Sequence, residues 1–142
     1  MTEVAQRAAV LREAITWLGT PYHNHGRIKG SGVDCGTLLI ECCSVAGVID
    51  NFDPGHYQPD WHLHRSEERY LAEIMKYGRE VKIPGPGDLA LFRFGRCFSH
   101  GAIVVDWPQV IHSYVDIGCV LEDASTGALS DRPVKFFSLW GE

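Results

Sequence analysis

The hydrophobic period of the sequence changes once, near the turn cluster at 84–87. Before this cluster, apolar residues recur every three or four positions, which is the period of an amphipathic helix. After it, short runs rich in β-branched and aromatic residues alternate with turn residues, as in strands. Helices that come first and strands that follow predict an α+β fold, with N-terminal helices packed on a C-terminal antiparallel sheet.

Three helices are predicted before the change of period. The first has an apolar stripe at spacings of four, three, four and three: Val4, Ala8, Leu11, Ile15 and Leu18. Asp34 is a strong N-cap for the second helix, because its carboxylate can accept the unpaired N–H groups of the first turn. The second helix is predicted to end at Gly47 and to bury Leu38, Leu39, Cys42, Val45 and Ala46. The third is predicted over 66–77.

Five strands are predicted after the turn cluster, and a loop precedes the third helix. The strands are expected at 88–94, 101–105, 110–115, 118–121 and 134–139. The segment 50–65 is rich in proline, histidine and aromatic residues, which indicates an ordered surface loop rather than a flexible tether.

The size and charge of the chain exclude several classes of protein. Its 142 residues and 15.8 kDa predict one domain, 1–142, and the net charge of −5 argues against nucleic acid as a partner. No apolar run is long enough for a membrane span, and the polar N-terminus lacks the pattern of a secretory signal. Five cysteines, an odd number, indicate reduced thiols and synthesis in the cytoplasm without disulfides.

Cys35 is the first candidate for chemistry. It follows the predicted N-cap Asp34, and at a helix start the unpaired N–H groups and the macrodipole favour a thiolate. The same N–H groups could donate to an oxyanion. The alternative is a small apolar residue that fills a gap between helix and sheet, and this local pattern leaves both open.

His100 and His112 are candidates for a base and for its orienting partner. His100 lies at the start of one predicted strand, where its imidazole could reach the sulfur of Cys35. If the strands are hairpin neighbours, His112 shares a face with His100 and would fix its tautomer. A buried structural histidine is the alternative for His112.

Five sequence blocks, in order, resemble the NlpC/P60 family of cell-wall cysteine peptidases over roughly residues 5 to 115. They resemble the family pattern L-G-x-P-Y, D-C, P-G-D-L, S-H-x-G-I and I-H. In this chain they read Leu18-Gly19-Thr20-Pro21-Tyr22, Asp34-Cys35, Pro86-Gly87-Asp88-Leu89, Ser99-His100-Gly101-Ala102-Ile103 and Ile111-His112. The chain most resembles stand-alone members encoded among the tail genes of phages and gene transfer agents.

The resemblance implies a papain-like fold with Cys35 as nucleophile, His100 as base and His112 as orienting residue. It implies hydrolysis of peptidoglycan stem peptides, often after γ-D-glutamate, with no cofactor and no metal. Asp34 and Tyr22 are implied to bind substrate, and Gly36 and Ser99 complete the predicted substrate-binding set. The implied partners are the stem peptide and phage tail proteins, with action in the cell wall as part of a phage-like particle.

One departure from the family pattern keeps other functions open. Gly36-Thr37 stands where the family usually has Ser-Gly or a variable residue and Gly, so Thr37 adds a β-branched side chain. A catalytically silent tail-assembly or wall-binding module, and a related thiol amidase or acyltransferase, are therefore alternatives. The histidine pairs at 23 and 25 and at 62 and 64 are read as polar loop residues rather than zinc ligands, because there is no C-x-x-C.

Overall fold

The computed structural model describes residues 2–52, 74 and 76–141 of the chain. Within these ranges, two α-helices precede the main sheet, and the α+β prediction is confirmed. The elements are α1 (Glu3–Thr16), β1 (Arg27–Ile28), β2 (Gly32–Val33), α2 (Cys35–Val45), β3 (Arg79–Val81), β4 (Leu89–Phe94), β5 (Cys97–Asp106), β6 (Gln109–Tyr114), β7 (Gly118–Asp123), a 3-10 turn (Gly127–Leu129) and β8 (Val134–Ser138).

In the described part of the chain, the main sheet has six strands in the order β3-β8-β4-β5-β6-β7, and every neighbouring pair is antiparallel. The five predicted strands are confirmed, although β5 begins four residues earlier than expected. The strands β1, β2 and β3 were not predicted. They are only two or three residues long, which is too short for an alternating pattern to register.

The buried face of α1 is not the apolar stripe that the sequence predicted. Within that stripe Leu11 is partly buried, and the other members are exposed: Val4, Ala8, Ile15 and Leu18. The core instead receives Val10, Ala14 and the C-cap residue Trp17. Both sets recur at spacings of three and four, so both satisfy the helical period and the prediction was wrong about the face.

Arg7 explains which side of α1 turns inwards. It lies one turn before Val10, and its guanidinium donates to the carbonyl of Pro86 at 2.7 Å and to Asp88 Oδ1 at 2.8 Å. Asp88 is buried, so the pairing with Arg7 compensates the cost of removing its carboxylate from water. Contacts with the turn before β4 therefore hold the Arg7 side of α1, and Val10 and Ala14 follow it into the core.

The second helix begins and ends as predicted. Asp34 is its N-cap, and the chain leaves the helix through Gly47, which has φ +76°. Its buried residues include Thr37, Ile40 and Cys43, which were not predicted. Val45 is 62% exposed and was wrongly assigned to the core.

Alternate residues of the main strands enter two separate apolar clusters, one on each face of the sheet. The first cluster joins residues of both helices with Leu89, Leu91, Ile103, Ile111, Cys119 and Phe137. The second contains Ala90, Phe92, Ala102, Val104, Val110, Ala124 and Leu129. Because side chains alternate along a strand, neighbouring residues of β4, β5 and β6 serve different clusters.

Two sequence predictions fall mainly on residues that are not described. Of the predicted third helix, Ile74 is helical and Gly78 donates to its carbonyl, while most of 66–77 lies outside the described residues. Tyr57, Trp61, His62 and His64 of the aromatic loop also lie outside them. No helix in the described part of the chain has the length and apolar character needed to cross a membrane.

Candidate active site

The N-terminus of α2 presents Cys35 as its first residue, behind a well-made cap. The Thr37 N–H donates to Asp34 Oδ1 at 2.8 Å, and the Asp34 N–H donates to the Thr37 hydroxyl at 3.0 Å. The second carboxylate oxygen of Asp34 accepts the backbone N–H of His25 at 2.8 Å. This reciprocal capping box ties the start of the helix to the loop before β1.

Thr37 completes this cap, which accounts for its presence where the family pattern has glycine. Its side chain is completely buried, and its hydroxyl donates to the carbonyl of Gly26 at 2.7 Å. Gly26 also has to be glycine, because a Cβ there would lie 2.6 Å from the backbone of Gly32. Thr37 therefore belongs to the cap and to the packing beneath it.

Cys35 differs from the other cysteines in exposure. All five cysteines are described, none forms a disulfide bond, and Cys35 alone among them is not buried. Burial raises the pKa of Cys43 to about 12 and that of Cys119 to about 11, and it also raises the pKa of Cys42. These three thiols therefore stay protonated at neutral pH, whereas Cys35 sits at the positive end of a helix.

The sulfur of Cys35 lies against the peptide that leads into His100. Its Sγ is 3.9 Å from the carbonyl oxygen of Ser99, the residue that precedes His100 on β5. Ser99 is buried and coincides with a register shift between β4 and β5, where Phe92 pairs with His100 and Arg93 with Phe98. The irregularity leaves Ser99 out of the ladder at the point where α2 meets the sheet.

His100 and His112 are hydrogen-bonded neighbours, as the sequence analysis expected of hairpin strands. β5 and β6 pair antiparallel, and Nε2 of His100 lies 2.7 Å from Nδ1 of His112. His112 is completely buried, and His100 is 7% exposed. The ring centroids of Phe94 and Tyr114 lie 5.2 and 5.5 Å from the ring centroid of His100, so two aromatic side chains pack against the candidate base.

Glu122, on β7, is a member of this row that the sequence analysis missed. Its Oε1 lies 2.8 Å from Nε2 of His112. The two residues are diagonal neighbours, because His112 pairs with Val120 and Val110 pairs with Glu122. Burial lowers the pKa of His112, and the neighbouring carboxylate of Glu122 opposes this by raising it. No sequence signal separated Glu122 from an ordinary surface charge.

Tyr22 is held beside Cys35 by a segment that joins two sheets. The backbone of Tyr22 forms a parallel bridge with Val33 of β2. Two residues earlier, the carbonyl of Thr20 accepts the N–H of Cys119 on β7 at 2.8 Å. Burial raises the pKa of Tyr22 well above its ordinary value, and the electrostatic influence of Cys35 and Asp34 raises it further. The phenol therefore remains protonated and can donate a hydrogen bond.

The structure thus gathers the predicted residues in two groups. Tyr22, Asp34 and Cys35 meet at the start of α2, and Ser99 links this group to His100 and His112. Gly36 is half-buried in the first turn of α2. Across the described residues, no group of three or more histidine, cysteine or acidic side chains is arranged to hold a metal ion. His25 contacts the cap through its backbone, and His23 Nδ1 lies 3.1 Å from the carbonyl of Asn24.

Comparison with solved structures places this arrangement among known folds. No family model matches the chain, and no curated protein matches it. The crystal structure of the NlpC/p60 domain of the peptidoglycan hydrolase SagA matches with a TM-score of 0.63 and 19% identity, over 91% of this chain and 96% of that one. This chain has the NlpC/P60 fold.

Two longer proteins share the NlpC/P60 fold with this chain. An NlpC/P60 family protein from Bacillus cereus matches with a TM-score of 0.63 and 20% identity, over 91% of this chain and 39% of its own. A protein similar to lipoprotein, of the NLP/P60 family, from Staphylococcus aureus matches with a TM-score of 0.63 and 19% identity, over 95% and 42%. This chain therefore spans less than half of either protein.

Proposed function

We propose that this chain hydrolyses amide bonds in the stem peptides of peptidoglycan, with Cys35 as the nucleophile. The observation that carries the proposal is the position of the Cys35 sulfur, at the first residue of α2 and 3.9 Å from the peptide that leads into His100. The fold adds support, because one protein that shares it is described as a peptidoglycan hydrolase.

The first chemical step forms a thioester. His100 accepts the proton of Cys35, and the thiolate attacks the carbonyl carbon of the scissile amide. The backbone N–H of Cys35 and the protonated hydroxyl of Tyr22 donate to the developing oxyanion, and one such donor lowers the barrier by about 3–4 kcal/mol. His100 then gives its proton to the leaving nitrogen as the C–N bond breaks.

The second step returns the enzyme to its starting state. His100 takes a proton from water, the hydroxide attacks the thioester carbon, and the C–S bond breaks. The thiolate recovers its proton from His100, so that one water molecule is consumed for each amide cleaved. No cofactor takes part in this sequence.

The finer parts of the proposal rest on the sequence blocks. These are cleavage after γ-D-glutamate, recognition of the free amino group of the stem peptide by Asp34, and action within a phage-like particle. Thr37, which raised the alternative of a silent module, is engaged in the helix cap, and this supports an intact site at Cys35.

The test uses a synthetic stem peptide that contains γ-D-glutamate, with mass spectrometry to detect new amino termini. We expect cleavage by the wild-type protein and a loss of at least about a thousandfold for Cys35→Ala. Cys43→Ala is the matched control, since it removes a buried thiol from the same helix, and it should retain cleavage within a few fold.

Three outcomes would contradict the proposal. Equal cleavage by Cys35→Ala would exclude the nucleophile. Binding of the stem peptide without turnover would indicate a silent module, and new N-acyl products would indicate a transferase.

A further inference from the structure

Glu122 closes a row of hydrogen-bonding groups that crosses three adjacent strands. Nε2 of His100 on β5 contacts Nδ1 of His112 on β6 at 2.7 Å, and Nε2 of His112 contacts Oε1 of Glu122 on β7 at 2.8 Å. His112 has no exposed surface, whereas the side chain of Glu122 is 25% exposed and keeps contact with solvent. The row therefore runs from the site to the edge strand of the sheet.

The chemistry of these groups determines where each proton lies. An ionised carboxylate only accepts hydrogen bonds, so Nε2 of His112 must carry a proton. Burial lowers the pKa of His112 and keeps the ring neutral, so its Nδ1 is an acceptor. Nε2 of His100 then has to be the donor in the contact between the rings. Neutral His100 is left with Nδ1 as its basic nitrogen.

The backbone around Glu122 makes room for the carboxylate. A Cβ on Gly127, in the 3-10 turn after β7, would lie 2.9 Å from the Oε2 atom of Glu122. Gly127 also has φ +65°, a conformation that favours glycine. The turn after β7 therefore accommodates Glu122 in the rotamer that reaches His112.

We infer that Glu122 is a positioning residue. It holds His100 and His112 in their Nε2–H tautomers, so that Nδ1 of His100 acts as the base. The role goes beyond the predicted Cys35, His100 and His112, and its catalytic consequence rests on the proposed function. Glu122 acts only through His112, and the tautomers of the two histidines can be observed whether or not the chain is a peptidase.

The other titratable groups around the row do not replace Glu122. Tyr114 on β6 lies with its ring 5.5 Å from His100 and 5.8 Å from His112. Cys35 and Tyr22 lie near the His100 end of the row. Cys35 contacts the peptide before His100, and Tyr22 lies beside Cys35 at the start of α2. Among the described contacts of His112, Glu122 supplies the negative charge.

The first experiment reads the tautomers by NMR of protein with 15N-labelled histidine side chains, at pH 7.5. In the wild type, His100 and His112 should both show the Nε2–H pattern. Glu122→Gln should show mixed patterns, because an amide can donate as well as accept and no longer enforces one tautomer. The matched control is Asp123→Asn on the same strand, which removes the same charge from a side chain that binds Ser125, and it should match the wild type.

The second experiment measures kcat/KM for the stem peptide between pH 5 and 9. Glu122→Gln should lower the value about ten- to a hundredfold, which is the size of loss seen when a carboxylate that orients a metal-bound histidine is removed. Its acidic limb should move to lower pH, because the charge that favours protonated histidine is gone. Iodoacetamide modification of Cys35 over the same pH range should show the same displacement, and it needs no peptidase activity.

The outcomes separate this inference from the proposed function. Unchanged tautomers in Glu122→Gln, or an Nδ1–H pattern for His112 in the wild type, would overturn the role of Glu122. Kinetics and alkylation within twofold of Asp123→Asn would do the same. A third outcome is possible: the wild type cleaves no stem peptide, but Glu122→Gln still shows mixed tautomers. This outcome would contradict the peptidase proposal and leave the positioning role intact.

Discussion

The two faces of the main sheet are made by the same strands but differ in what they carry. One face packs Leu91, Ile103 and Ile111 against the helices, while the other carries the row from His100 through His112 to Glu122. Ile111 and His112 are adjacent in sequence and face opposite ways. Because the side-chain period of a strand is two, a single strand can supply packing and chemistry independently. A substitution at Ile111 should therefore lower stability, whereas a substitution at the adjacent His112 should lower turnover.

The largest expected effect is on stability, and it comes from a cavity in the face of the sheet that packs against the helices. Ile111→Ala removes a side chain that is 1% exposed, and we expect a loss of about 2–5 kcal/mol in the free energy of unfolding. Urea unfolding measures this value. The kcat/KM of the folded fraction should stay within a few fold of the wild type.

Leu121→Ala is the control for this substitution. Leu121 pairs directly with Ile111 on β7 but is 53% exposed, so its removal should cost at most about 0.5 kcal/mol. Equal costs for the two variants would mean that the helix-side face is not the main source of stability.

A smaller effect is expected at Asp34, where the helix side of the molecule meets the site. Asp34→Ala removes the N-cap of α2 and should lower the free energy of unfolding by about 0.5–2 kcal/mol. Asp34→Asn removes the charge and keeps one oxygen to accept from the Thr37 N–H, but it sets an amide NH2 against the N–H of His25, so it should lose only part of this stability. If Asp34 also binds the amino group of the stem peptide, both variants should raise KM.

Thermal unfolding and stem-peptide kinetics of the two variants distinguish the roles of Asp34. A normal KM for Asp34→Asn, with lowered stability for Asp34→Ala, would leave Asp34 as a cap only.

The smallest expected effect is the pH dependence of stability that arises from the buried ring of His112. The folded-state pKa of His112 is lowered below its ordinary value of 6.5, so unfolding takes up a proton as the pH falls below that value. The contribution of His112 to stability is therefore complete above about pH 6.5. It is lost as the pH falls towards the folded-state pKa, with a slope of at most about 1.4 kcal/mol per pH unit.

Urea unfolding at intervals from pH 7.5 to 5 measures this slope. His112→Asn, which cannot titrate there, should show a shallower decrease than the wild type. Identical slopes would mean that burial of a neutral His112 has no part in the pH dependence.

Features that depend on local sequence were predictable. The cap Asp34, the stop at Gly47 and the five longer strands follow from neighbouring residues, and each was found. The buried side of α1 was not predictable in this way. Two stripes in that helix have the helical period, and the long-range contact between Arg7 and Asp88 selects between them.

Glu122 shows the same limit in the site. An acidic residue near the end of a strand resembles a solvent-facing charge, and nothing adjacent in sequence marks it otherwise. Its meeting with His112 depends on the register of β6 and β7, which brings residues ten positions apart onto one diagonal. The contact between His100 and His112 was predictable because their strands are consecutive and their motifs resemble a known family.

The contacts of Trp140 with the first helix have a consequence for how the chain folds. Its indole N–H donates to Gln6 across a sequence separation of 134 residues, and its ring stacks beneath the guanidinium of Arg7 at 4.3 Å. Such a contact closes a long loop, and contacts of high sequence separation slow the search for the native topology. We therefore expect the contact between Trp140 and the first helix to form late, on a sheet that has already assembled.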